Sequence, residues 1–80
     1  MKLKISAFGI AKDIVGQRSL SLDVNDVGTL AELKNELSKR FPEFRKLVSL
    51  TLAVNESYES DNYLLQENDH VVIIPPVSGG

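Results

Sequence analysis

The sequence predicts an α+β fold, a mixed sheet with one main helix packed on one face. Three observations lead there. Apolar and polar residues alternate at period two in segments 2–8 and 18–24, as in half-buried strands, and two further strand-like segments follow at 50–54 and 70–74. A single longer segment, 30–40, carries its apolar residues at helical spacing. The chain has 80 residues, 42% of them hydrophobic and 25% charged, the makeup of one small globular domain.

Lys2 to Phe8 sets Leu3, Ile5 and Ala7 on one face and Lys4, Ser6 and Phe8 on the other. Segment 10–15 has apolar groups at Ile10, Ala11, Ile14 and Val15, which fits a short helix or turn ended by Gly16. Arg18 to Val24 alternates again, with Leu20, Leu22 and Val24 inward. Two strands joined by so short a segment are most simply antiparallel neighbours. Thr29 and Glu32 have the spacing of a capping box. Leu30, Leu33, Leu37 and Phe41 then mark the helix, Lys39 and Arg40 favour its C-terminal dipole, and Pro42 stops it. Leu50 to Val54 is a third strand and Asn55-Glu56 a turn. Tyr63-Leu64-Leu65 is too short to type. Asn68-Asp69 is a turn before a final strand, His70 to Ile74, which Pro75 and Pro76 end because neither can donate to a ladder. This order resembles the ubiquitin-like β-grasp. The expected division is a β-grasp domain over 1–76 and an extended, reactive tail over 77–80.

Composition excludes several functions. There is no cysteine, hence no disulfide, no thiolate metal site and no cysteine nucleophile. Val71 to Gly80, the longest uncharged run, falls far short of the roughly 20 apolar residues of a membrane helix. The first ten residues alternate like a strand, unlike a signal peptide. All Lys and Arg residues precede residue 50, while Glu56, Glu59, Asp61, Glu67 and Asp69 follow it, and the net charge is −2. Nucleic acid is not an expected partner, since its phosphates demand a basic patch. The acidic second half is a solvated face or a docking surface for a basic partner. His70, the sole histidine, has no acid or nucleophile at a catalytic spacing and reads as strand-edge polarity. No metal-ligand cluster or phosphate-binding glycine loop is present, and no bound cofactor is expected.

The chemistry lies in the last six residues. Pro75-Pro76 favours an extended, polyproline-like path that projects Val77, Ser78, Gly79 and Gly80 from the sheet, a reach of at most about 14 Å. Glycine has no Cβ, so Gly79-Gly80 fits a channel too narrow for other residues. The reactive group is then the Gly80 carboxylate. It is ionised at neutral pH and resists nucleophilic attack. Conversion to an acyl-adenylate supplies a leaving group, and sulfide or a persulfide can displace AMP to leave a thiocarboxylate.

The run Ile73-Ile74-Pro75-Pro76-Val77-Ser78-Gly79-Gly80 resembles the tail of the small, MoaD-type subunit of molybdopterin synthase. The lead-in Leu65-x-Glu67-x-Asp69-x-Val71 fits the same family, as does a first strand ending in an aromatic residue before a short helix and Gly16. The resemblance implies a cytoplasmic sulfur carrier. An adenylyltransferase resembling ubiquitin-activating enzymes activates Gly80, and a sulfur donor protein supplies the sulfur. The tail enters the large catalytic subunit, in a heterotetramer of two small and two large chains. Sulfur passes to cyclic pyranopterin monophosphate and builds the molybdopterin dithiolene. The chain is then a cosubstrate, with no catalytic side chains of its own.

Strand parity suggests where the partner sits. Val71 and Ile73 should face the helix, and Val72 and Ile74 the opposite side, together with Phe8. With no second layer to cover them, Phe8, Val72 and Ile74 are the expected partner-contact patch. Three alternatives share these features in part. A thiamine-pathway carrier has the fold and the Gly-Gly end, a ubiquitin-like protein modifier uses the same activation chemistry, and an interaction module has an inert end.

Overall fold

A computed structural model describes residues 1–25, 27–47 and 50–74. Strand β1 (Lys2–Ala7) is followed by helix α1 (Gly9–Val15), β2 (Ser19–Asp23), α2 (Leu30–Arg40), a 3-10 turn (Pro42–Lys46), β3 (Thr51–Val54), β4 (Ser57–Tyr58) and β5 (His70–Ile74). The strands form one sheet in the order β2-β1-β5-β3-β4. β1 and β5 run parallel at its centre, and every other pairing is antiparallel. This is the mixed sheet of a β-grasp.

The core lies between the sheet and α2. Leu3, Ile5, Ala7, Leu22, Leu52, Val54, Val71 and Ile73 bury one sheet face, and Leu30, Leu33 and Leu37 bury the stripe of α2 against it. Each of these Leu, Ile and Val side chains contributes about 1.5–3 kcal/mol by leaving water, and Ala7 less than about 1 kcal/mol. α2 begins with the expected capping box. Glu32 N–H donates to Thr29 Oγ1 at 3.3 Å, and Glu32 Oε1 accepts from the N–H groups of Thr29 and Gly28, each at 3.0 Å. Segment 10–15 resolves as a helix. Gly16 ends it in the left-handed region at φ 85°, its N–H donating to the Lys12 carbonyl at 2.8 Å.

Four features depart from the sequence reading. Pro42 does end α2, but it also opens a second helical turn whose Phe44 is buried and meets Phe41 edge-on at 6.0 Å. Proline suits that first position because the N–H it lacks has no partner there. The Asn55-Glu56 turn leads into a two-residue strand, β4, too short to show alternation in sequence. Tyr63-Leu64-Leu65 caps the entry to α2. Leu64 bridges Thr29, Leu65 N–H donates to the Gly28 carbonyl, and the Leu65 side chain is buried. Finally, His70 is not at a sheet edge but opens the central strand β5. Among the described residues, no helix is long and apolar enough to cross a membrane.

Candidate functional site

The tail residues Pro75, Pro76, Val77, Ser78, Gly79 and Gly80 lie outside the described residues, as does the expected boundary at 76. The described chain reaches Ile74, the last residue of the central strand, and the tail follows directly in sequence.

The outer face of the sheet, opposite α2, is described in full across all five strands. The register fixes which residues share it. Ser6 pairs with Val72, Val72 with Ala53, and Ala53 with Tyr58. Ile74 pairs with Thr51, and Phe8 stands one step beyond the Ala7–Ile73 pair, level with Ile74. Phe8 keeps an extended backbone (φ −130°, ψ 158°), so the alternation of β1 runs through it even though it caps α1. Phe8 is 52% exposed and Tyr58 75%, while Val72 and Ile74 are half-buried. The structure therefore places Phe8, Val72 and Ile74 on one outward face. It adds Tyr58, and Ala53 between it and Val72 at only 8% exposed, both of which the sequence reading missed. Tyr58 could have been found by carrying the hairpin pairing past Asn55-Glu56, because a two-residue loop fixes the return register.

On the β1–β2 side the same face turns polar. Lys4, Ser6, Ser19, Ser21 and His70 line a cleft of about 510 Å³ with Ile5 and Leu20. Ser6 Oγ and His70 Nε2 are 2.6 Å apart. Among the described residues, no group of three or more His, Cys, Asp or Glu side chains is placed to hold a metal ion.

The approach to β5 is held by Asp69, which sequence alone marks only as a turn acid. It is 7% exposed, and its carboxylate accepts from Asn55 Nδ2 at 2.9 Å, the Tyr63 hydroxyl at 3.1 Å and the Gln66 N–H at 2.9 Å. Burial, then the bond to Asp69, raises the Tyr63 hydroxyl above the ordinary tyrosine pKa. At the start of α2, which residues 63–65 contact directly, the Gly28 and Thr29 N–H groups hold the Glu32 carboxyl below its ordinary range.

The family model described as the ThiS family matches residues 5–80. The molybdopterin synthase sulfur carrier subunit of Arabidopsis thaliana is 33% identical over 81 residues, an alignment covering 100% of this chain and 84% of that protein. A Pyrococcus furiosus structure solved as a candidate molybdopterin converting factor, subunit 1, superposes with a TM-score of 0.86 at 24% identity, covering 96% of this chain and 99% of that one. The complex of subunits 1 and 2 of the molybdopterin-converting factor from Helicobacter pylori contains a chain that superposes with a TM-score of 0.66 at 23% identity, with both chains covered in full.

Proposed function

This chain belongs to the ThiS family, and we propose that within it the chain serves as the sulfur carrier subunit of molybdopterin synthase. The observation that carries this reading is the full-length 33% identity to a curated protein of that name. The carboxylate of Gly80 attacks the α-phosphorus of ATP on a ubiquitin-activating-like adenylyltransferase, and pyrophosphate leaves. Sulfide then attacks the acyl carbon of the glycyl adenylate. AMP departs with the electrons of the C–O bond, leaving the glycyl thiocarboxylate. With a persulfide on a sulfur donor protein, the acyl persulfide formed first needs a thiol to cleave its S–S bond. The tail, Pro75 to Gly80, carries the sulfur into the large subunit, whose side chains catalyse its transfer to cyclic pyranopterin monophosphate.

The body contributes position rather than catalysis. The outward ridge of Phe8, Val72, Ile74, Ala53 and Tyr58 docks on the large subunit, on the face where β5 runs toward the tail. That the Helicobacter pylori chain of this fold is found with a second subunit supports such a face. The working assembly is a heterotetramer, two chains of each kind, in the cytoplasm.

The experiment has two readouts. Protein purified from its native cells should carry a C-terminal peptide heavier by about 16 Da, oxygen replaced by sulfur. Incubated with the large subunit and the pterin precursor, that protein should yield molybdopterin. A thiocarboxylate without molybdopterin would point to the thiamine pathway instead, and the same C-terminus in isopeptide linkage to lysines would make the chain a protein modifier. An unmodified terminus in cells making molybdopterin would end the carrier reading.

A further inference from the structure

Moving from β5 toward β2, the outer sheet face passes from apolar to hydrogen-bond donating. Lys4 pairs with Ser21 on one side and His70 on the other, and Ser6 pairs with Ser19 on one side and Val72 on the other. Side chains at paired positions share a face. Lys4, Ser6, Ser19, Ser21 and His70 therefore gather around the single cleft of about 510 Å³ that they line. Each of these five side chains carries a donor group, one of them spent between Ser6 and His70, and no carboxylate is among them. Lys4 makes no ion pair among the described residues. The Ser6–His70 contact at 2.6 Å fixes the imidazole beside it. The cleft also abuts the apolar ridge, because Ser6 and Val72 are direct partners.

We propose that this donor-lined cleft receives an Asp or Glu side chain from the protein that docks on Phe8, Val72, Ile74, Ala53 and Tyr58, and so sets the angle at which that protein sits. It rests on the docking face proposed above. Charge favours a carboxylate over a free phosphate. The cleft offers one permanent cation, matching the single charge of a carboxylate, whereas a phosphate group carries about 1.5 to 2 negative charges at neutral pH. Position favours a tethered group. An acid anchored by neighbouring apolar contacts arrives at high effective concentration and needs little affinity of its own.

The test uses the full chain in complex with the large subunit of molybdopterin synthase. A zero-length carbodiimide joins an ammonium to a carboxylate as an amide with loss of water, and tryptic mass spectrometry then reads the linked peptides. The expected product joins Lys4 to an Asp or Glu of the large subunit. Lys4→Glu should weaken binding about tenfold and Lys4→Gln less, with both variants folded by circular dichroism. If Phe8→Asp weakens the complex while Lys4 stays unlinked and Lys4→Glu binds like the parent, the carboxylate inference fails and the docking face stands. If Phe8→Asp and Tyr58→Asp both bind like the parent, the docking face fails and takes this inference with it. If millimolar inorganic phosphate shifts the Ser6, Ser19 and Ser21 amide resonances of the free chain, and Lys4→Glu leaves partner affinity unchanged, the cleft holds a free anion and the proposal is overturned.

Discussion

The Tyr63 hydroxyl donates to Asp69 Oδ2 at 3.1 Å, and that bond draws the 59–68 segment onto the start of the central strand. The same carboxylate takes Asn55 Nδ2 from the β3–β4 turn and the Gln66 N–H from its own loop. Asn55 in turn accepts the His70 N–H at 3.1 Å. One buried acid thus ties the turn before Tyr58 to the residue that opens β5. Asp69→Asn keeps the shape but swaps an acceptor oxygen for an NH₂ among three donors. Urea unfolding should show a loss of about 1–3 kcal/mol. An unchanged midpoint would mean that water replaces the carboxylate without penalty.

Asn55 and Glu56 both have positive φ, 49° and 72°, the pattern of a tight hairpin turn in which glycine is favoured second. Glu56 holds a conformation costing an L-residue roughly 1–2 kcal/mol, partly offset by the greater backbone freedom that glycine loses on folding. Glu56→Gly should therefore stabilise the chain by about 0.5–1 kcal/mol in thermal or urea melts. A lower midpoint would show that the Glu56 side chain makes a compensating contact.

Glu32 carries a pH signature. Its folded pKa is lowered, first by the Gly28 N–H and then by that of Thr29. The stability it supplies is present above the ordinary glutamate value and is lost as pH falls from there through the folded value. Glu32→Gln should remove that part of the acid dependence, flattening stability against pH below the ordinary glutamate range. Parallel acid limbs for parent and variant would rule the carboxylate out as a contributor. Thr29→Ala removes the other half of the box and should lower stability by about 1 kcal/mol near neutral pH.

On the outer face, Phe8→Asp and Tyr58→Asp each place a charge where the proposed partner needs apolar contact. Both side chains are exposed, so the folded chain should tolerate the change. Affinity for the large subunit, by titration calorimetry, should fall at least about tenfold for each. Parent-like affinity for Tyr58→Asp together with a loss for Phe8→Asp would confine the contact to the β1–β5 side.

Much of the architecture was legible because it rests on local chemistry. Alternation marked β1 and β2. Thr29 and Glu32 marked the start of α2, where a capping box needs only residues three apart. The inward and outward parity of Val71 to Ile74 followed from the period of a strand. What escaped depended on distant partners. β4 is two residues long and exists only through its pairing with β3. Leu64 and Leu65 have no period of their own and are placed by Thr29 and Gly28.

The sequence by itself determined β1, β2, β3, β5 and the main helix, since each is encoded by residues adjacent along the chain. Only the tertiary structure decided that His70 lies on the central strand, that Asp69 is a buried acceptor, and that Tyr58 and Ala53 extend the ridge begun by Phe8, Val72 and Ile74. The physical reason is that sheet neighbours far apart in sequence are chosen by which faces can be buried together, a property of the assembled core rather than of any one segment.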